Sequence, residues 1–329
     1  MIWTRQLLIA AVALLGGQLG GLLAEPRPAS AESPATAAPA AAPPAAREIE
    51  VLPSWPVGQG SATTLRPVGR RPGDRPAELI IHFHGAVAAV RTAMERAGHG
   101  ETVLVVTMPG LSTAYAKPFQ NDPALFVKLL EQAWPAEQEP VEADRWQRIT
   151  LSCFSAGYGA VREILRSPAA DRVDGIVAAD SIYAGVDREQ PRRTVSPRDM
   201  AGFLAFARQA AAGQRVFVIA HSAQRTPYAS TTETADFLLA SLGLRRTRLN
   251  PDGDEPFARV SQCREGGLLV TGYSGESAEA HLHHLRILGR HWEEADDLRR
   301  GHGQPRREPD PAEGGREAQE GPRQSVPGP

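Results

Sequence analysis

The sequence predicts an α/β fold, with a mostly parallel central sheet flanked by helices in a single domain with little or no cap. Two observations carry that expectation. Short apolar runs rich in β-branched residues alternate with stretches at helical spacing from Glu78 to Leu298. The runs also end abruptly in small or turn-forming residues, as in His84-Gly85-Ala86, Pro109-Gly110 and Ser155-Ala156-Gly157. Strands that alternate with helices give a parallel sheet covered on both faces.

Not all of the 329 residues are expected to fold. Residues 1–31 read as a secretory signal: Arg5, an apolar run from Leu7 to Leu15 that extends patchily to Leu23, and Ala29-Ser30-Ala31 as a cleavage site. The alternative is a membrane anchor, which Gly16-Gly17 and Gly20-Gly21 disfavour by interrupting the run. Residues 32–47 are mostly Ala and Pro and read as an extended linker. Residues 302–329 are poor in apolar side chains and read as a disordered tail. The remainder, 48–301, is long enough for one domain with a substantial core. An exported protein, periplasmic or extracellular, follows from the signal, with no stable membrane insertion after cleavage.

The elements fall in this order. Arg47–Leu52 is a first strand, and 53–76 is loops or short edge hairpins. Glu78–Phe83, Thr102–Thr107, Arg148–Cys153, Val173–Ala179, Arg215–Ala220 and Gly267–Thr271 are strands. Helices are expected to Ala97, over Pro123–Trp134, Met200–Ala212 and Thr232–Leu242, and as one long segment from Ala278 to Leu298. Ser230-Thr231-Thr232-Glu233 offers a capping box. The catalytic groups of such a sheet belong at the carboxyl ends of its strands. His84, Ser155 and Asp180 fall there.

The net charge of −2, from 36 basic and 38 acidic residues, gives no reason to expect nucleic acid. There is no Walker sequence and no G-x-G-x-x-G after a strand, and no cofactor is expected. Two cysteines, Cys153 and Cys263, are too few for a disulfide scaffold, and both are expected as free thiols, Cys263 in a loop.

The stretch most informative about chemistry is Ile149–Leu165, where a buried strand turns into a helix at Cys153-Phe154-Ser155-Ala156-Gly157. A serine at such an apex is held in a strained conformation with its hydroxyl exposed, beside a helix N-terminus that favours negative charge. The pattern is that of a nucleophile elbow, with Cys153 in place of the first glycine of G-x-S-x-G. Its structural alternative is a tight turn with Ser155 as an N-cap.

With HFHGA after one strand, SCFSAGYG after another, an acid after a later strand and histidine at the last helix, the chain resembles the α/β-hydrolase superfamily from about Glu78 to Trp292. The resemblance implies the chain order Ser, acid, His, which Ser155, Asp180 and His281 satisfy. It also implies an oxyanion hole, with backbone N–H donors at Ala86 and Ala156. A general base must reach Ser155 and be held by a carboxylate. His281 lies nearest the start of the last helix; His284, one turn on, is the alternative, and His221 is expected to act indirectly. Asp180 is the acid expected, with Glu233 and Asp236 as alternatives after the next strand. His84 orients its loop. His84, Ser112 and Tyr115 are placed along the substrate pocket.

The function expected is therefore a secreted serine hydrolase, carboxylesterase-like, cleaving a small-molecule ester or amide. One alternative is a non-catalytic hydrolase-like binding protein. Another is a metal-dependent hydrolase using His82, His84, His281 and His284, with Asp180 completing the site. The short segment from Ala184 to Arg215 leaves room for only a small lid.

Overall fold

A computed structural model describes residues 47–69, 77–134, 146–187, 193–251 and 255–302. The expected signal, all but the last residue of the linker, and the tail beyond His302 lie outside the described residues.

The chain opens with β1 (Ile49–Val51), β2 (Trp55–Val57) and β3 (Gly60–Pro67), paired antiparallel with one another through β3. Next come β4 (Glu78–Phe83), α1 (Val87–Arg96), β5 (Thr102–Thr107), α2 (Ser112–Asn121) and α3 (Leu125–Gln132). The middle of the chain holds β6 (Arg148–Ser155), α4 (Tyr158–Leu165), β7 (Gly175–Ser181), β8 (Val186–Asp187), β9 (Thr194–Val195) and α5 (Pro197–Ala211). The last part is β10 (Val216–His221), α6 (Thr231–Ser241), β11 (Thr247–Arg248), β12 (Arg259–Glu265), β13 (Leu268–Tyr273), α7 (Ala278–Arg286) and α8 (Leu288–His302).

The main sheet runs β1-β3-β5-β4-β6-β7-β10-β13-β12-β11. Its centre, from β5 to β13, is parallel throughout, and antiparallel strands close both edges. The α/β class, the mostly parallel sheet and the flanking helices are as the sequence predicts. The order β5-β4-β6 is a switch point: the chain leaves β4 to one side, then returns to its other side. Ligand clefts of open α/β sheets form outside the carboxyl ends of strands at such a point.

Alternation along the central strands explains why both faces are covered. In β6, Ile149, Leu151 and Cys153 pack into one apolar cluster, whereas Phe154 belongs to the other. In β7, Ile176 and Ala178 face the first cluster, and Val177 and Ala179 the second. Ser152 lies fully buried in β6, and its hydroxyl accepts from Trp292 Nε1 at 2.9 Å. The same hydroxyl lies 2.9 Å from His82 Nδ1. His82 Nε2 donates to the His84 carbonyl at 3.0 Å, so Nδ1 is the acceptor and the ring is neutral. Burial pushes its pKa down to about 3.

Three local expectations change. The 53–76 segment contains an eight-residue strand, β3, which pairs along β5 and is more than an edge hairpin. Cys263 lies in β12, not in a loop. Both thiols are free and buried; burial raises Cys153 to about 12, which removes it from thiolate chemistry at neutral pH. Finally, the long last helix is two. It breaks at Ile287, and just beyond the break α8 passes close to α1, where a Cβ on Gly289 would fall 2.5 Å from the Ala93 carbonyl oxygen. Among the described residues the region after β7 carries only the two-residue pair β8–β9 before α5, a small feature over the sheet end.

Candidate functional site

Ser155 is the last residue of β6, and α4 begins three residues later. Its backbone is left-handed, at φ 47°, as the elbow geometry requires. Such a conformation costs a non-glycine residue on the order of 1–3 kcal/mol, so neighbours must hold it. Two do. Ser181 Oγ donates to the Ser155 carbonyl at 2.8 Å. Gly157 lets the turn pass against β4, where a Cβ would fall 2.1 Å from the Phe83 carbonyl oxygen. Glycine is therefore required at this position by space.

Asp180 is the last residue but one of β7 and is also left-handed, at φ 42°. Its side chain is fully buried. The Ser222 N–H and Thr231 hydroxyl donate to Oδ1 at 2.9 and 2.7 Å; the Ser222 hydroxyl and His281 Nδ1 donate to Oδ2, each at 2.7 Å. Burial opposes the charge, but these hydrogen bonds, led by His281, outweigh it and hold the carboxyl well below its usual range. Ser222 stands directly after β10, where the sequence offers no carboxylate. It serves the acid from the preceding strand instead.

His281 sits in the first turns of α7, whose start is capped by Ser277. Its ring stacks on Phe154 at 4.6 Å, and Phe154 stacks on His84 at 6.0 Å. The residue before the elbow serine thus fixes the ring plane from below, while Asp180 fixes it through Nδ1. His281 and Ser155 line one cavity of about 440 Å³, together with Ala156 and Ser112. Its walls also include Tyr158, Tyr183, Tyr228 and Gln224, which the sequence reading missed. Tyr158 and Tyr183 stand three residues after Ser155 and Asp180, a proximity that could have marked them.

The structure does not bring the other expected residues to this cavity. Tyr115 is fully buried: its hydroxyl accepts from the Met108 N–H at 2.9 Å and lies 2.9 Å from His84 Nδ1. It braces the loops after β4 and β5 and does not line the pocket. His84 is likewise held beneath the site by Tyr115 and Phe154. His84 and Gly85 both adopt positive φ, and Ala86 is the exposed N-cap of α1; none of the three is a lining residue.

His284 is fully buried, with Nδ1 at 3.3 Å from His291 Nε2, and does not line the cavity. His291 Nδ1 in turn faces Glu294, which Arg259 pairs. His221 is buried against Arg246 and the Ser222 carbonyl, and burial followed by the Arg246 charge pushes it down to about 4. The alternative acids are engaged elsewhere: Glu233 closes the α6 capping box and pairs with Arg193, and Asp236 pairs with Arg246.

The four histidines of the metal alternative do not converge. Both nitrogens of His82 are hydrogen-bonded, Nδ1 of His84 faces Tyr115, and Nδ1 of His281 faces Asp180. Among the described residues the group with ligand atoms within 4.8 Å of one another is His99, Glu101 and Asp296, at the opposite end of the sheet.

No protein-family model and no curated protein matches the chain. Solved structures similar to it include Thermogutta terrifontis esterase 2, at 15% identity and TM-score 0.42, covering 79% of this chain and 96% of that one. A haloalkane dehalogenase variant from Bradyrhizobium elkanii is similar at 13% identity and TM-score 0.42, covering 78% and 99%. LpqC, a poly(3-hydroxybutyrate) depolymerase from Bordetella parapertussis, is similar at 14% and TM-score 0.37, covering 73% and 87%. Each is a likeness that carries no argument about this chain; its fold class rests on the sheet order and strand directions.

Proposed function

We propose that this chain, an α/β hydrolase by fold, is an exported serine hydrolase that cleaves a small-molecule ester or amide. The observation that carries the reading is the placement of His281. One ring nitrogen is bonded to a buried carboxylate, and the ring lines the same cavity as a strained serine. Export rests on residues 1–31, which lie outside the described residues; no helix among the described residues is long and apolar enough to cross a membrane.

In this reading Ser155 Oγ attacks the substrate carbonyl carbon as its proton passes to His281 Nε2. The carbonyl π pair moves to oxygen, where the Ala156 N–H, on the cavity wall, meets the charge. Collapse breaks the bond to the leaving alcohol or amine, which takes the proton from His281. Water then attacks the acyl-serine through the same base, releases the acid and restores Ser155. Asp180 holds the tautomer that leaves Nε2 unprotonated and stabilises the imidazolium. No protein group bonds Nε2 of His281 among the described residues, so it is available for this transfer.

Residues acting as one unit lose activity non-additively. Ser155→Ala and His281→Ala should each lower kcat on the order of 10³-fold or more, and the double variant should be no worse. Asp180→Asn should stay folded and lose most of the rate. A binding protein would show no turnover in any of these forms. Additive losses would show that Ser155 and His281 do not act together.

A further inference from the structure

We infer that the cavity takes a neutral ester carrying an aromatic ring; this rests on the serine-hydrolase reading and names the substrate class of that same site. Three of the chain's five tyrosines stand on its wall. They form a continuous row, with Tyr158 to Tyr183 at 5.7 Å and Tyr183 to Tyr228 at 5.3 Å between ring centres. The outer ring, Tyr228, is 49% exposed, and Leu111 on the lip is 79% exposed. A row of tilted and edge-on rings offers both faces and edges to a further ring, the arrangement aromatic groups prefer.

The wall is rigid, as a binding surface needs to be. The segments bearing Tyr183 and Tyr228 are stitched by a pair of backbone hydrogen bonds between Ala184 and Ala229, at 2.9 and 3.3 Å. The Arg193 guanidinium then donates to the carbonyls of Thr226, Pro227 and Tyr228 at 3.0, 3.1 and 2.6 Å. It is anchored on Glu233, the residue that closes the α6 capping box.

Charge sets the second half of the inference. Among the described residues no acidic side chain lines the cavity, and the one basic side chain on it is His281. Two nearby arginines are committed, Arg193 to its carbonyls and Arg162 to the Tyr158 ring at 5.5 Å, and the exposed Arg225, between Gln224 and Thr226, is not a lining residue. An anionic substrate would lose water without gaining a cation from the described lining residues other than His281. A polyhydroxylated substrate is also poorly served. Ser112 Oγ is taken by the Tyr158 hydroxyl at 3.2 Å and Thr226 Oγ1 donates to the Tyr228 carbonyl. The Gln224 amide and the Tyr228 hydroxyl remain.

The test compares methyl 3-phenylpropanoate with methyl 3-cyclohexylpropanoate, which match in length and ring size, and uses methyl hexanoate as a ring-free ester. Full-length enzyme should prefer the phenyl ester in kcat/KM by several-fold up to about tenfold, the range expected for ring–ring contact beyond area. Tyr228→Leu should bring that ratio toward one, and a para-carboxylate on the phenyl ring should lower kcat/KM about tenfold or more. A wild-type ratio at or below one, with methyl hexanoate still cleaved, overturns the aromatic class and leaves the hydrolase reading intact. An unchanged ratio in Tyr228→Leu overturns the role of the tyrosine wall. No cleavage of any ester, together with no adduct from a fluorophosphonate, overturns the hydrolase reading itself.

Discussion

A histidine and a carboxylate meet at each end of the central sheet, and the two pairs behave differently. At the carboxyl end, His281 Nδ1 lies 2.7 Å from Asp180; at the amino end, His99 Nδ1 lies 2.9 Å from Glu101. What differs is the other nitrogen. His99 Nε2 faces the Gly289 carbonyl at 3.1 Å, so that both ring nitrogens donate and the ring is an imidazolium bridging α8 to the turn after α1. Among the described residues His281 Nε2 has no such partner, and its ring lines the cavity with Ser155. A short contact to a carboxylate is therefore no mark of a base. The mark is a second nitrogen left free beside a nucleophile.

The largest expected effect sharpens this contrast directly. His281→Ala should lower kcat on the order of 10³-fold or more, whereas His99→Gln should leave kcat nearly unchanged and lower the melting temperature. Steady-state kinetics and thermal melts on both variants decide it; comparable kinetic losses would erase the distinction.

A smaller loss is expected at Ala86. Ala86 has φ −69°, which proline adopts without strain, so Ala86→Pro removes the N–H and little else. Because Ala86 lies off the cavity's lining, kcat should fall no more than a few-fold, and a loss of about 10²-fold would make its N–H the second oxyanion donor.

The pairs also differ in their response to pH. His99 has a raised pKa: burial opposes its charge, but Glu101 and the Gly289 carbonyl more than compensate. A raised folded pKa contributes stability that is fully present below the unfolded value, about 6.5, and is lost as pH rises through the higher folded value. The melting-temperature gap between wild type and His99→Gln should therefore be widest in mild acid and shrink toward alkaline pH. A gap independent of pH would contradict the imidazolium. The smallest effect is at Arg193. Arg193→Ala should raise KM for an aromatic ester several-fold through a loosened Tyr228 loop, while leaving the rate with saturating methyl hexanoate close to wild type.

Much of this was legible in the sequence, for reasons that can be named. The central strands announce themselves because both faces are buried, which demands runs such as Thr102–Thr107. The elbow is legible because its geometry demands small neighbours, and Gly157 has no room for a side chain. The α6 start is legible because a capping box is local chemistry. Long-range consequences were not legible. Tyr115 stands one turn after Ser112, yet its hydroxyl belongs to Met108, a contact set by how α2 packs on the sheet. The antiparallel strand β12 alternates weakly, being half-exposed along most of its length. The close approach of α8 to α1 at Gly289 depends on where α1 passes. His281 and His284 share a helix and a spacing, and only burial separates them.

Ser155 is the group acylated in the proposed reaction, and covalent trapping tests that most directly. After reaction of the full-length protein with a fluorophosphonate, intact mass and peptide mapping should show one adduct on the peptide containing Ser155. Ser155→Ala should take up none, and His281→Ala should react far more slowly. Stoichiometric label on another residue, or equal labelling of wild type and Ser155→Ala, would contradict the account.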